Sequence, residues 1–453
     1  NIKERRFNNY SERKKIDNSG AGISFEPSKC ILCGRCVRVC DEIQGVNTLD
    51  FIKRGTSSSI YTSFSKTIGN SNCIFCGQCV MVCPTAALTG KNHIPVILKN
   101  IHKHETKLIA HCSPSVAVSI AEEFGIKAGK DYSGQMVTAL KKCGFDLVFD
   151  SSVAIDLQIY QTAYNLSERI KQDKHLPMFS SCCPAWVKYA EQSGVDLELL
   201  SPVKSPQQIM GTLIKTWYAS KYKLKPDNIF SVSVMPCLAK KYEAEREEHS
   251  SESVDAVLSA RELARLIKLC GVDFLKCESS TFDEPFNIKS SASALYPVSG
   301  GVAEAILRTL IFFLSGKEPK EYKFNKLRGA KGIKETSVKV GNTTLNFAVV
   351  NGNGNIDKLL NDLKNGKSNY HFVEVMSCKD GCINGGGQPL KSSPEDIKAR
   401  AKLLYDKDEN DVINAAHKNL FIVDLCNNFF NFPDGKKSSE FLHTSFKIRR
   451  VLN

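Results

Sequence analysis

The chain has 453 residues, 42% hydrophobic and 24% charged, an ordinary globular composition with length for about two to four domains. No run of about 18 apolar residues occurs, which excludes a membrane-spanning helix. The chain contains 61 Lys and Arg and 48 Asp and Glu, which gives a net charge of +13. This charge suits an acidic partner, and the sequence contains no nucleic-acid-binding motif.

The first segment, residues 1–22, is polar and basic and contains no apolar pattern. Such a segment cannot bury enough apolar surface to offset the entropy of ordering. We therefore predict that it forms a disordered arm.

Two matching cysteine runs follow, each with the spacing C-x2-C-x2-C-x3-C. This spacing is typical of bacterial ferredoxins with two 4Fe–4S clusters, in which the fourth cysteine of each run ligates the other cluster. The expected ligands are Cys30, Cys33, Cys36 and Cys83 for one cluster, and Cys73, Cys76, Cys79 and Cys40 for the other. A pair of zinc sites is the alternative, but zinc needs only four thiolates and leaves half of these unexplained.

From about residue 108, short apolar runs alternate with amphipathic helices, which predicts an α/β architecture with parallel sheets. The predicted strands are Leu108–His111, Leu147–Asp150, Pro177–Phe179, Phe230–Met235, Ala256–Leu258, Leu345–Val350 and Phe372–Met376. The predicted helices are Val116–Phe124, Ile155–Lys171, Pro206–Lys221, Ala260–Cys270, Ala303–Leu314 and Ile356–Lys364.

Three of these strands run directly into loops that contain cysteine. In parallel sheets, ligands gather beyond the carboxyl ends of strands. Cys183, Cys237, Cys378 and Cys382 can supply the four thiolates of a third 4Fe–4S cluster, which leaves Cys182 beside the metal without a ligand role. The alternative is five buried structural cysteines, since free cysteine is often buried.

The same loops carry a resemblance to the iron-only (FeFe) hydrogenases, through Ser181–Trp186 (SCCPAW), Met235–Glu243 (MPCLAKKYE) and Glu374–Pro389 (EVMSCKDGCINGGGQP). The resemblance extends from about Pro27 to the end of the chain. It implies a ferredoxin-like domain over residues 23–100, an α/β catalytic domain of two lobes over residues 101–395, and a helical tail over residues 396–453 that is similar to the small subunit of such enzymes.

The resemblance also implies a cofactor and residue roles. The cofactor is the H-cluster, a 4Fe–4S cubane joined to a two-iron subsite that carries CO, CN⁻ and an azadithiolate. Cys378 or Cys382 would bridge the two parts, with Cys382 preferred as the last ligand before the glycine loop. Cys182 would pass protons, Ser201 would extend the proton path, and Lys240 would hold a cyanide. The remaining pocket residues would be Pro114, Ser115, Pro206, Gln207, Met235 and Met376. The implied reaction is the reversible reduction of protons to H2 with electrons from ferredoxin, after assembly by maturation proteins, with no nucleic acid or membrane involved.

Several residues depart from the family pattern. Thr162 and Asn165 stand where two glutamates normally continue the proton path, and neither can carry a proton as a carboxylate does. The pairs Tyr296-Pro297 and Lys379-Asp380, and Ser113, also differ from the usual residues. A working enzyme with another proton route is therefore one hypothesis. A catalytically silent relative that senses H2 or redox state, or assembles iron–sulfur clusters, is the other.

Three further interpretations concern residues near the proposed pocket and the compartment. His111 is read as a core histidine, with proton relay as the alternative, and Cys112 as a buried thiol at a strand end. The charge run Lys240–Glu248, apart from Lys240, is read as a solvated helix face. Thiolates reserved for metal indicate a reducing, anaerobic compartment, either the cytoplasm or a hydrogenosome-like organelle.

Overall fold

The computed structural model describes residues 15–103, 105–249, 253–432 and 436–449. The strands are β1 Ile23–Phe25, β2 Leu49–Ile52, β3 Ser59–Thr62, β4 Leu88–Gly90, β5 Lys107–Cys112, β6 Leu147–Asp150, β7 Met178–Phe179, β8 Ile229–Met235, β9 Ala256–Ser259, β10 Ile333–Val340, β11 Thr343–Asn351 and β12 Phe372–Met376. The α-helices are α1 Arg35–Arg38, α2 Gln78–Val82, α3 Ile94–Ile101, α4 Pro114–Ala117, α5 Ser133–Lys142, α6 Ser152–Gln172, α7 Pro184–Ser193, α8 Pro206–Leu213, α9 Ala219–Lys221, α10 Ala239–Ala244, α11 Ala260–Leu269, α12 Ala292–Leu295, α13 Gly301–Ser315, α14 Ile356–Lys364, α15 Pro394–Glu409, α16 Leu420–Asp424 and α17 Lys436–Leu442.

The N-terminal module contains two small antiparallel sheets, β1 with β4 and β2 with β3. Each cysteine run passes through a left-handed glycine, Gly34 or Gly77, with φ of 71° and 77°, into a short helix. Glycine adopts this conformation without steric cost, so both runs can turn from loop to helix at the same place.

The end of the predicted disordered arm is ordered against this module, so that prediction is wrong for residues 15–22. Asp17 pairs with Phe25 through two backbone hydrogen bonds of 2.8 and 2.9 Å. Its carboxylate accepts hydrogen bonds from the Ile68 N–H at 2.8 Å and the Tyr61 hydroxyl at 2.7 Å. Burial alone would raise the pKa of Asp17, but these hydrogen bonds hold it below its ordinary value. The rest of the predicted arm, residues 1–14, lies outside the described residues.

Two four-stranded sheets form the core of the two lobes that follow. One has the order β6-β5-β8-β9 and is parallel throughout. The other has the order β10-β11-β12-β7 and is parallel except for the hairpin of β10 and β11. The predicted α/β class with mostly parallel sheets is confirmed, and β5, β7, β8 and β12 end near one another around the predicted pocket.

Three of the differences between the predicted secondary structure and the structure have a local cause in the sequence. The predicted helix Val116–Phe124 is the short α4 followed by a 3-10 turn, Ile120–Phe124, where the Ser119 hydroxyl donates to the Ser115 carbonyl at 3.0 Å. Across the predicted Pro206–Lys221 helix, a π-helical turn at Ile214–Tyr218 separates α8 from α9. Strand β10 was not predicted, because its sequence, IKETSVKV, offers only isolated apolar residues.

The tail packs against the cysteine loops. Helix α15 begins after Ser393, whose hydroxyl accepts from the Asp396 N–H at 3.2 Å. Buried Arg400 donates to Glu122 at 2.7 Å and to the Ile383 carbonyl, next to Cys382, at 2.6 Å. Over the described part of the chain, no helix has the length and apolar character needed to span a bilayer.

Candidate functional site

Three loops at the carboxyl ends of parallel strands meet around one cavity. Cys182 and Cys183 follow β7, Cys237 follows β8, and Cys378 and Cys382 follow β12. All five cysteines line the cavity, which contains about 830 Å³ of space between atoms, part of it open to solvent. The structure therefore brings together the residues that the sequence placed at three separate strand ends.

The four predicted cubane ligands lie close enough to influence one another's ionisation. Burial raises the pKa of Cys382 well above its ordinary value, and negative charge on Cys237, Cys183 or Cys378 would raise it further. Burial, and then Cys183, raises the pKa of Cys237 to about 12. Thiols that disfavour each other's charge are stabilised by a cation, and four thiolates are the donor set of a 4Fe–4S cluster. The residues present fit this group.

The two N-terminal cysteine sets also form as the spacing predicts. Cys40, Cys73, Cys76 and Cys79 line a second cavity, of about 440 Å³ between atoms. Burial, followed by the charges of Cys30, Cys83 and Cys33, raises the pKa of Cys36 to about 12. Each set therefore combines three cysteines of one run with the fourth of the other.

The cysteines of the second set surround a cavity instead of meeting at a point. In the described ranges, no three Cys, His, Asp or Glu side chains converge closely enough to hold a single metal ion. Zinc requires four ligands about 2.0–2.3 Å from one centre. A cluster, which is larger than one ion, suits the observed spacing.

Lys240 supplies a buried positive charge at the cavity wall. Its ammonium group donates to both carboxylate oxygens of Glu243 at 2.9 and 2.8 Å and to the Cys182 carbonyl at 3.2 Å. Burial alone would lower the pKa of Lys240, but the Glu243 carboxylate raises it above its ordinary value. Lys240 therefore stays charged and can bind an anionic group in the cavity.

Lys241, Glu243 and Arg246 of the charge run are buried, so the predicted solvated helix face is wrong for these three, whereas Glu245 and Glu247 are exposed as predicted. The Lys241 ammonium lies 3.0 Å from Glu262, and Arg246 donates twice to Glu191, at 2.9 and 2.7 Å. The run contains charges of both signs, but the partners of Lys241 and Arg246 named here lie on other helices. That tertiary pairing is invisible in the local sequence.

A buried hydrogen-bonded chain leads from Tyr296, which lies beside Cys182, to helix α6. Tyr296 lies beside Cys182 in the cavity wall, and its hydroxyl donates to the Gln158 carbonyl oxygen at 3.0 Å. The Gln158 amide nitrogen donates to the Thr162 hydroxyl at 2.9 Å. An amide accepts at oxygen and donates at nitrogen, so it links these groups without passing a proton from one to the next.

The two outer residues of the expected proton path lie away from the cavity. Asn165 is 3.4 Å from the His443 ring. Ser201 is buried, and its hydroxyl accepts from the Val203 N–H at 3.4 Å. Neither residue is part of the cavity lining.

Four of the six expected pocket residues line the cavity, namely Pro206, Gln207, Met235 and Met376. Pro114 and Ser115 do not, and the expectation for these two is corrected. Ser113 lines the cavity in their place, and its hydroxyl is 2.8 Å from that of Ser115. Strand β5 ends at Cys112, so the first residue beyond the strand reaches the cavity before α4 turns away.

Sequence reasoning missed two residues that hydrogen-bond to residues of this wall, Glu243 to Lys240 and Gln158 to Tyr296. Glu243 lies three residues after Lys240 on α10, inside a motif that the sequence analysis had quoted, and this spacing could have identified it as the partner of Lys240. Gln158 lies four residues before Thr162 on one face of α6, but no local signal links it to Tyr296.

The departures near Cys382 have defined structural roles. The Pro297 carbonyl accepts from the Cys382 N–H at 2.7 Å and therefore orients that loop. Asp380 adopts a φ of 67°, the left-handed region that favours glycine, and its N–H donates to the Asn351 side chain at 2.6 Å. The side chain of Asn351 thus supports a backbone conformation in which a non-glycine residue is strained.

His111 and Cys112 do not line the cavity. The His111 ring accepts from or donates to the Ser151 hydroxyl at 2.9 Å. Burial, and then Lys240, lowers the pKa of His111 to about 3, so the ring is neutral. The structure favours the core interpretation over the proton relay.

Three segments of the chain match known protein families. Residues 106–386 match the family described as iron only hydrogenase large subunit, C-terminal domain. Residues 20–89 match the ferredoxin-like domain of NADH-quinone oxidoreductase subunit 3, and residues 394–449 match the iron hydrogenase small subunit.

Individual relatives cover most of the chain. Iron hydrogenase 1 of Clostridium pasteurianum is 39% identical over 95% of this chain and 77% of its own length. Cytosolic iron-sulfur assembly component 3 of Mus musculus is 31% identical over 75% of this chain and 74% of its own. A structure of apo FeFe-hydrogenase HydA1 from Chlamydomonas reinhardtii aligns with a TM-score of 0.71 at 30% identity, covering 79% of this chain and 99% of that one.

Proposed function

Because the chain belongs to the iron-only hydrogenase family, we propose that it is a ferredoxin hydrogenase that catalyses the reversible reduction of protons to H2. One observation supports this most strongly. Four thiols from three strand ends surround one cavity, with a fifth thiol, Cys182, and the charged Lys240 in the same wall. A purely structural set of cysteines would not need the fifth thiol or the buried cation.

The proposed cofactors are two N-terminal 4Fe–4S clusters and the H-cluster. Cys183, Cys237, Cys378 and Cys382 would hold the cubane of the H-cluster, and Cys382 would bridge to its two-iron part. When bound, this group supplies the redox chemistry that joins protons and electrons into H2.

The chain's own residues bind and orient around that group. Burial raises the pKa of the Cys182 thiol to about 12. The thiol is therefore protonated at neutral pH and can hand a proton to a base in the cavity. The Lys240 ammonium would hold an anionic ligand, and Met235 and Met376 exclude water from the wall that they line.

The N-terminal module would bring electrons to this centre. Cys33 is exposed, so the first cluster set lies within reach of a docked redox protein. The net charge of +13 suits an acidic ferredoxin. Maturation proteins and a reducing, anaerobic compartment complete the proposal, since the thiolates must remain free of oxidation until the clusters are inserted.

One observation favours a second candidate function. At Gln158 the chain from Cys182 reaches an amide, and Thr162 provides a hydroxyl where the family has a carboxylate. A protein with a blocked proton route could keep its clusters and still turn over little H2. It would then act in H2 or redox sensing, or in cluster assembly, the activity named for the mouse relative.

The direct test is H2 evolution from reduced methyl viologen by the anaerobically matured chain. We expect turnover that scales with iron content. Protein with full iron content but no H2 evolution would refute the enzymatic proposal and favour the silent relative.

A further inference from the structure

Helix α2 of the N-terminal module begins with a side chain that reaches into the catalytic lobe. We propose that Gln78 is a positioning residue that joins the second N-terminal cluster set to the catalytic cubane and raises the reduction potential of that cubane. This inference rests on the proposed function, because it concerns the cluster that Cys378 would hold.

The contact is made by the Gln78 amide nitrogen. It donates to the Cys378 sulfur at 3.3 Å and to the Asn384 carbonyl at 3.2 Å. A backbone carbonyl can only accept, so the Asn384 contact establishes that the nitrogen, and not the amide oxygen, faces Cys378. The hydrogen bond to sulfur therefore has a defined direction.

Gln78 also belongs to the neighbouring cavity. It lines the space between Cys40, Cys73, Cys76 and Cys79, whereas Cys378 lines the catalytic cavity. Cys76 lines both. The segment from Cys76 to Gln78 therefore separates the two cavities. Cys76 is an expected ligand of the N-terminal cluster, and Gln78 donates a hydrogen bond to Cys378 of the catalytic cavity.

The backbones at this wall pack without side chains between them. A Cβ atom added to Gly386 would lie 2.3 Å from the Cys76 carbonyl oxygen and 2.7 Å from the Gly77 Cα. Neither backbone could accommodate that approach without moving. Glycine at residue 386 therefore lets the module come close enough for Gln78 to reach its partners.

The internal repeat shows that this role is specific to one run. Arg35 occupies the same place in the first run, between Cys33-Gly34 and Cys36. Arg35 is exposed on the surface, and Gln78 is half-buried against the catalytic lobe. Of these two equivalent residues, only Gln78 contacts the catalytic lobe and donates a hydrogen bond to a cubane ligand.

The physical effect follows from the direction of the hydrogen bond. Reduction adds negative charge to a cluster and its thiolates, and an N–H donor stabilises that charge. The electron transfer itself forms and breaks no bonds: the N-terminal cluster is oxidised as the cubane is reduced. Loss of the donor should therefore make the cubane harder to reduce.

The test is a redox titration of the matured full-length chain, followed by the infrared bands of iron-bound CO and CN⁻, which report the catalytic centre and not the N-terminal clusters. In Gln78→Leu, at a fixed ambient potential, we expect at least a threefold fall in the ratio of reduced to oxidised centre, ~28 mV for a one-electron couple. Gln78→Glu should cause a larger fall, because it removes the donor and adds a negative charge.

Arg35→Leu is the matched control and should leave the potential unchanged. Iron content and thermal melting of each variant show whether the clusters and fold are retained. An unchanged potential in Gln78→Leu, or a potential that does not fall further in Gln78→Glu, overturns the inference. If the unsubstituted chain shows no bands, the proposed function fails and this inference fails with it.

Discussion

Replacing two residues of α6 should improve proton transfer toward Cys182, because the hydrogen-bonded chain beside it runs through the Gln158 amide. The perturbation is the double substitution Thr162→Glu and Asn165→Glu. Thr162 is fully buried, and the Gln158 amide nitrogen, 2.9 Å from its hydroxyl, is in place to donate to a carboxylate there. Asn165 lies 3.4 Å from His443, which can partner a second carboxylate. The two changes supply proton-carrying groups where the native residues supply none.

The expected gain is bounded by the chemistry of proton transfer. A positioned acid or base contributes about 100-fold to 10,000-fold to a rate when that step limits turnover. Because Gln158 would still separate the new carboxylate from Tyr296, we expect only about a tenfold higher kcat, equivalent to a barrier ~1.4 kcal/mol lower. A carboxylate buried beside one donor should also destabilise the fold by about 1–3 kcal/mol.

The assay is H2 evolution from reduced methyl viologen, normalised to iron content, with thermal melting measured in parallel. The matched control is Thr162→Gln with Asn165→Gln, which has the same side-chain length but no group that titrates near neutral pH. An equal rise in both variants would show that side-chain size matters and not the proton. No rise in the Glu variant would show that protons reach Cys182 by another route.

Three further outcomes are expected. Matured protein should show infrared bands of iron-bound CO and CN⁻, and full iron content without them would exclude the two-iron centre. Cys182→Ser should reduce H2 evolution at least 100-fold with unchanged iron content. The control is Cys112→Ser, which replaces a buried thiol away from the cavity and should leave H2 evolution unchanged. Retained activity in Cys182→Ser would show that this thiol is not part of the proton path. Arg308→Met should cost about 1–3 kcal/mol of unfolding free energy in chemical denaturation. The buried carboxylates of Glu304 and Asp408 lose a partner 2.9 and 2.7 Å away, but Arg328 still pairs with both, at 2.7 and 3.0 Å. Burial alone would raise the pKa of Asp408, but hydrogen bonds from Arg308 hold it below its ordinary value. The ionised Asp408 therefore stabilises the native fold above about pH 4, and this stabilisation is lost as the pH falls. In Arg308→Met the free energy of unfolding should fall less over the same pH range.

The cysteine sets were predictable because each depends on short-range spacing or on a strand end. The C-x2-C-x2-C-x3-C runs encode their own loop geometry, and the crossing of Cys40 and Cys83 follows from the repeat. Cys183, Cys237 and Cys382 follow strands of parallel sheets, whose carboxyl ends lie at one edge. The position of the cavity could therefore be inferred before any tertiary contact was known.

The contacts that adjust the site could not be predicted in this way. Gln78 and Cys378 are 300 residues apart, and Gln158 and Tyr296 are 138 residues apart. Hydrophobic periodicity places such residues on a helix or in a loop but does not say what they face. The order of residues 15–22 was missed for the same reason, since the partners of Asp17 lie in later strands and turns.

The unusual residues around Cys182 form one local change in the structure. Tyr296 contacts Cys182 and Gln158, and Gln158 reaches Thr162, so replacements that lie far apart in the sequence are joined by hydrogen bonds. A buried polar group that loses its partner costs about 1–3 kcal/mol, and independent loss of residues would leave such groups unpaired. In this chain each member has a partner, and Pro297, next to Tyr296, orients Cys382. These residues therefore form a hydrogen-bonded network of their own, and a carboxylate introduced at Thr162 would find a donor, the Gln158 amide nitrogen, already in place.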